Sequence, residues 1–140
     1  MRLEVTRKSD LAVRALCELA AASGRLKGPE LAASIGSTAG FLSQAMTPLV
    51  KAGWVRSDAG PNGGYSLTVA LDGVSLLQVI ETIEGPTDNG QCVLVDRPCE
   101  AAGRCALHFV WYRSREHLLE GLDAISIAEV AASQPVDEQL

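Results

Sequence analysis

No uninterrupted apolar run in this chain approaches the roughly 20 residues that a bilayer-spanning helix needs, so no membrane partner is expected. The opening stretch, Met-Arg-Leu-Glu-Val-Thr-Arg-Lys-Ser-Asp, lacks the apolar core of a secretory signal. The expected location is therefore cytoplasmic, where thiols stay reduced. Missing too are a nucleophile–base pair, a phosphate loop and a substrate motif, so no enzyme is indicated. A basic excess is also absent, since the formal net charge is −5. That figure conceals an asymmetry. Residues 1–66 hold eight Lys/Arg against five Asp/Glu, net +3, while residues 67–140 hold four against twelve, net −8. A basic half joined to an acidic one is the footprint of a chain that presents one half to a polyanion.

What the chain does hold is a dense cysteine segment. Cys92, Cys99, Cys105 and His108 fall within residues 92–108, separated by six, five and two residues. Pro98 and Gly103 break the segment, which reads as loop, and a loop can bend until three thiolates and an imidazole converge on one metal or cluster. Cys105 and His108, three apart at the start of a helix from about Cys105 or Ala106, would share one face there. Disulfides or small buried thiols are the plainer readings, and a reducing compartment weakens the first. Cys17 reads as a small core residue inside a helix.

Length and a 47% hydrophobic content suit a small globular domain with an extension. Lys8 to Ser23 reads as a first helix, with Leu11, Ala15, Leu16 and Leu19 at helical spacing and Gly24 as its stop. Pro29 to Ile35 is a short second helix, Gly36 a turn, and Thr38 to Ala52 a third helix with Leu42, Ala45, Met46, Leu49 and Val50 on its apolar face. Pro48 falls inside that pattern, where it can kink the helix. A short helix, a glycine turn and a longer helix with a polar N-terminal face form a helix-turn-helix. Trp54 to Ser57 and Tyr65 to Val69 then read as strands around Gly60-Pro61-Asn62-Gly63-Gly64. The expected fold is mainly α with a small β-hairpin wing: a winged helix-turn-helix over residues 1–72. Residues 73–140 then supply a linker helix from Ser75 to Glu84, the cysteine segment and a long C-terminal dimerisation helix. Leu107, Trp111, Leu118, Leu122 and Ile125 run down the latter as an apolar stripe, and Ser126 caps a last short helix.

In a winged helix the second helix of the pair enters the major groove N-terminus first. Ser37, Thr38, Phe41, Ser43 and Gln44 are the expected base-reading residues. Arg2, Arg7, Lys8 and Arg56 are the expected backbone contacts, with Asn62 and Gly63 at or in the minor groove. The expected partners are double-stranded DNA carrying a pseudo-palindromic operator and a second copy of the chain, since a two-fold site needs a homodimer.

The sequence resembles the iron–sulfur winged-helix regulators of the IscR, NsrR and RirA type, the Rrf2 family, over nearly its whole length. The resemblance is carried by Met1-Arg-Leu3, by the run Asp10-Leu-Ala-Val-Arg-Ala-Leu16, by Phe41-Leu42 where the family usually has Tyr-Leu, by Leu49-Val-Lys-Ala-Gly-Trp-Val55, and by Gly60-Pro-Asn-Gly-Gly-Tyr65. Three departures stand out. Ala59 occupies a slot that is commonly Arg, Ser43 one that is often acidic, and the gap between Cys92 and Cys99 is one residue longer than usual. The resemblance implies a cluster-sensing transcription regulator, more often a repressor, responding to iron–sulfur, redox or nitric oxide status. It implies an iron–sulfur cluster on Cys92, Cys99 and Cys105, with His108 as fourth ligand to a 2Fe–2S cluster. Alternatively, Asp10 of the partner chain would complete a 4Fe–4S cluster. A zinc-stabilised Cys3His site and a clusterless switch in which Cys92 and Cys99 form a disulfide remain open as winged-helix alternatives. A small iron–sulfur electron carrier is the alternative of a different class.

Overall fold

The computed structural model describes residue 3, residues 5–88, residue 90 and residues 105–133. Its elements are α1 (Arg7–Ala22), α2 (Gly28–Ser34), α3 (Ala39–Lys51), β1 (Val55–Asp58), β2 (Gly64–Leu67), a short 3-10 turn at Leu71–Gly73, α4 (Leu76–Glu84), α5 (His108–Ala124) and α6 (Ile127–Ala132). Mostly helical, with one two-stranded antiparallel hairpin, this is the expected winged-helix architecture. Among the described residues no helix is long and apolar enough to cross a membrane.

Helix boundaries follow local chemistry. Thr6 caps α1, its Oγ1 accepting the Ser9 N–H at 3.3 Å. Ser9 itself is fully buried one turn in. At the other end Ser23, not Gly24, takes the left-handed conformation, with φ of 52°. Ser75 and Ser126 open α4 and α6 with complete capping boxes, reciprocated by Gln78 and Glu129. Each such cap stabilises its helix by about 1 kcal/mol.

The core is built on α1, which packs against α3 and α4. Leu11, Leu16 and Leu19 meet Leu31, Leu42, Met46 and Leu49 in one buried cluster that also takes in Val55, Val79 and Ile127. Full burial of each large side chain contributes about 1.5–3 kcal/mol. The C-terminal half is tied to this core twice over. Ile127 is fully buried in it, and Leu76 N–H bonds Ile125 O while Ile127 N–H bonds Val74 O, each at 2.8 Å.

Candidate DNA-reading face and metal-binding segment

Gly36, with φ of 67°, follows the end of α2, and the Ser37 N–H closes the turn on Ala32 O at 2.8 Å. Glycine takes that conformation without a Cβ penalty, and this one lies in the turn between α2 and α3. Thr38 caps α3 through Oγ1, which accepts the Phe41 N–H at 3.2 Å; its O–H remains a donor. Leu42, Ala45, Met46 and Leu49 are buried, leaving Ser43 and Gln44 exposed, as is Thr47, whose hydroxyl donates to Ser43 O. Ser37 is half-buried and donates to Thr38 O. Phe41 is half-buried against the core, so only part of its ring faces outward. α3 runs on through Pro48, which has no N–H to give the Gln44 carbonyl.

The wing is β1 and β2 in register Val55↔Leu67, Arg56↔Ser66, Ser57↔Tyr65 and Asp58↔Gly64. Leu26, from the α1–α2 connection, adds a third short rung: its N–H bonds Tyr65 O at 3.0 Å and its O accepts Tyr65 N–H at 2.8 Å. Asn62 is exposed at the tip. Gly63 is not. It is buried, and a Cβ there would lie 2.2 Å from Asp58 O. The tight turn itself therefore accounts for glycine at 63, and the exposed tip atoms belong to Gly60, Pro61 and Asn62. Arg56 is exposed, with Nε 3.1 Å from Asp58 Oδ1.

Arg7 is exposed and Lys8 half-buried on the first turn of α1. Arg2 lies outside the described residues. Asp10 is exposed on the same turn, and Arg14 Nε stands 3.1 Å from its Oδ2 in an i,i+4 pair.

Of the four expected metal ligands, Cys92 and Cys99 lie outside the described residues. Cys105 and His108 are described and close. The His108 N–H bonds Cys105 O at 3.0 Å. α5 begins at His108, not at Cys105 or Ala106, because residues 106–107 form the turn that carries this bond. Cys105 is half-buried and His108 buried, its ring 4.6 Å from Tyr112 and edge-on to Phe109 at 5.3 Å. Leu107, at the cap position, offers no side-chain acceptor. Cys105 stands beside the positive end of α5, a setting that suits a thiolate. Across the segment's other flank, Arg115 approaches Asp88 at 3.4 Å and lies over Tyr112. Cys17 is half-buried in α1, and burial, reinforced by the Glu18 charge, pushes its thiol up. Among the described residues no set of three metal-ligating side chains converges.

A family model described as "Rrf2: Iron-dependent Transcriptional regulator" matches residues 5–133. The chain belongs to the Rrf2 family. IscR of Erwinia tasmaniensis, an HTH-type transcriptional regulator, is 30% identical, the match covering 96% of this chain and 82% of that one. The structure of CymR, the global cysteine regulator of B. subtilis, superposes with a TM-score of 0.73 at 25% identity, covering 94% of this chain and 98% of CymR. The structure of T. potens IscR gives a TM-score of 0.72 at 24% identity, over 99% and 92% of the two chains. This Rrf2 protein is accordingly a winged-helix, DNA-binding transcription regulator, similar to IscR, and not an enzyme.

Two features of this Rrf2 chain escaped the sequence reading. Arg25 lies beside the wing tip, and Glu84 accepts hydrogen bonds from the start of α1. Neither belongs to a spacing motif; each partner is distant in the chain.

Proposed function

We propose that this Rrf2 protein is a homodimeric, cluster-sensing repressor, in which residues 1–72 read a pseudo-palindromic operator and residues 73–140 sense and dimerise. Ser37, Thr38, Phe41, Ser43 and Gln44 face the major groove, Arg2, Arg7, Lys8 and Arg56 contact phosphates, and Asn62 enters or borders the minor groove. The observation that carries the sensing reading is the hydrogen-bonded turn that holds Cys105 and His108 together at the start of α5. It supports a donor set of Cys92, Cys99, Cys105 and His108.

Three thiolates and an imidazole fit a 2Fe–2S cluster, since imidazole is an established cluster ligand. Asp10 is the alternative, for a 4Fe–4S cluster, but a carboxylate is a harder ligand and this one pairs with Arg14. When bound, such a cluster supplies a centre reactive toward oxidants and nitric oxide. The chain supplies the rest. Whatever Cys105 and His108 bind sets the start of α5. α5 is joined to α4 by Ser75 Oγ donating to Asp123 Oδ1 at 2.8 Å. α4 ends on Glu84, bonded to the first turn of α1, where Arg7 and Lys8 stand. A change at the cysteine segment thereby reaches the DNA-facing half.

Dimerisation is supported by α5. Its inner face, His108, Tyr112, Arg115, Leu119 and Leu122, is buried or half-buried. On the outer face Val110 is 63%, Leu118 45%, Ile125 40% and Trp111 38% exposed. Leu122 thus turns inward from the expected stripe, and Val110 joins it. Exposed apolar side chains grouped on one helix face, rather than scattered singly, mark an interaction surface.

The deciding experiment is the visible spectrum of anaerobically purified protein, with iron and sulfide quantified. Structured bands and two irons per chain support the His108-ligated cluster; a broad band with four irons transfers the assignment to Asp10; zinc alone refutes cluster sensing. Similarity to CymR, a cysteine regulator, favours a thiol switch as second reading. Reversible formation of a Cys92–Cys99 disulfide in metal-free protein, with a matching change in DNA affinity, would establish it.

A further inference from the structure

We infer that Arg25 is the wing's phosphate-gripping cation, a DNA contact supplied from outside the hairpin. The tip itself carries none: residues 59–66 read Ala-Gly-Pro-Asn-Gly-Gly-Tyr-Ser. The fold brings one in. Leu26 is pinned to Tyr65 by two backbone hydrogen bonds, so the residue before it must lie along β2. Gly64, with φ of 142°, permits this approach, since a Cβ there would sit 2.4 Å from Leu26 O and 3.0 Å from Arg25 Cγ.

From this anchor the Arg25 guanidinium reaches the tip. Nη1 donates to the Asn62 carbonyl, and Nη2 lies 3.4 Å from Asp58 Oδ2. The Arg25 side chain remains 46% exposed. Asp58 is the one carboxylate in this group and already engages Arg56 at 3.1 Å. Its Oδ2 is buried without a hydrogen bond of good geometry, so it positions Arg25 without saturating it. Five donors on a guanidinium leave several for a phosphate. Lys27 stands nearby, lining a cleft of about 350 Å³ with Gly28, Asp58, Gly60 and Tyr65. Arg25, Lys27 and Arg56 against Asp58 give the wing base a net +2 that the hairpin sequence does not suggest. Exposed ion pairs of this kind hold weakly, so Arg25 can turn to a phosphate while keeping its bond to Asn62.

This inference rests on the DNA-reading proposal, and the test separates the two. Affinity for an operator fragment is measured as a function of salt for the wild type, Arg25→Gln, Arg25→Lys and Arg113→Gln, an exposed cation on α5 that serves as a net-charge control. Arg25→Gln should bind roughly tenfold more weakly at physiological salt, with the slope of log affinity against log salt reduced by about 0.9 per protomer. Arg25→Lys should keep the slope, and Arg113→Gln should match the wild type. If Arg25→Gln loses affinity at an unchanged slope, Arg25 is only a brace for the wing and the inference fails. It fails equally if Arg25→Gln binds like the wild type. If the wild type itself retains no DNA, the DNA-reading proposal is what falls.

Discussion

Ser9 and Glu84 are 75 residues apart in the chain and joined by a hydrogen bond of 2.8 Å, Ser9 Oγ donating to Glu84 Oε1. Thr6 donates to the same oxygen while its own Oγ1 caps α1. One carboxylate thus closes α4 onto the first turn of α1, between the cysteine segment and Arg7 and Lys8. Glu84→Ala should cost about 1–2 kcal/mol of unfolding free energy, read from denaturant midpoints. It should also shrink the difference in DNA affinity between iron-loaded and iron-free protein. If that difference persists at full size in Glu84→Ala and Ser9→Ala, the signal does not travel by this contact.

The wing glycines give a second expectation. A Cβ at Gly63 would meet Asp58 O at 2.2 Å, and one at Gly64 would meet Leu26 O at 2.4 Å. Both neighbours are backbone, so neither can step aside cheaply. Gly63→Ala and Gly64→Ala should each destabilise by about 1–3 kcal/mol and impair DNA binding. Gly40, with no neighbour within 4 Å and a place in α3, should gain up to about 1 kcal/mol as Ala. Thermal melts of the three variants check this, and an unaffected Gly63→Ala would contradict the turn geometry.

Dimerisation is tested on the outer face of α5. Leu118→Glu and Trp111→Glu place a charge where the single chain leaves the side chain exposed, so each monomer should still fold. Sedimentation should show dissociation, and operator affinity should fall because two half-sites must be held together. Retained dimers in both variants would move the seam elsewhere.

Ligand assignment is tested by iron content. Cys92→Ala, Cys99→Ala, Cys105→Ala and His108→Ala should each lower iron per chain, and Asp10→Ala should not. A fall with Asp10→Ala and none with His108→Ala would reverse the fourth-ligand proposal.

Cys17→Ala should leave iron content unchanged. Its thiol, raised by burial and by Glu18, holds its proton at neutral pH and should alkylate slowly. The folded state keeps that proton to higher pH than the unfolded state does. Stability should therefore fall as pH climbs above the ordinary thiol range, and a pH series of melts should show this component missing from Cys17→Ala.

Much of the fold was legible beforehand because it is written in local chemistry. Leu11, Ala15, Leu16 and Leu19 mark one helix face by spacing alone, Ser75 and Ser126 announce their caps, and Gly36 and the glycines of 60–64 require turns. The winged helix follows from that order of elements, and the Cys–His spacing by itself directs attention to metal chemistry. Other features depend on pairs that no window of sequence contains. The start of α5 slipped to His108 because a turn, rather than helix propensity, holds Cys105. Leu122 turned inward because α4 lies on that side. Arg25 reached the wing because Leu26 pairs with Tyr65, and Glu84 reached Ser9 because α1 and α4 share a core. Periodicity, caps and turns act over a few residues, so the sequence alone determined the elements and their order. Which exposed charge meets which distant partner was decided only when burial of the common core brought those elements together.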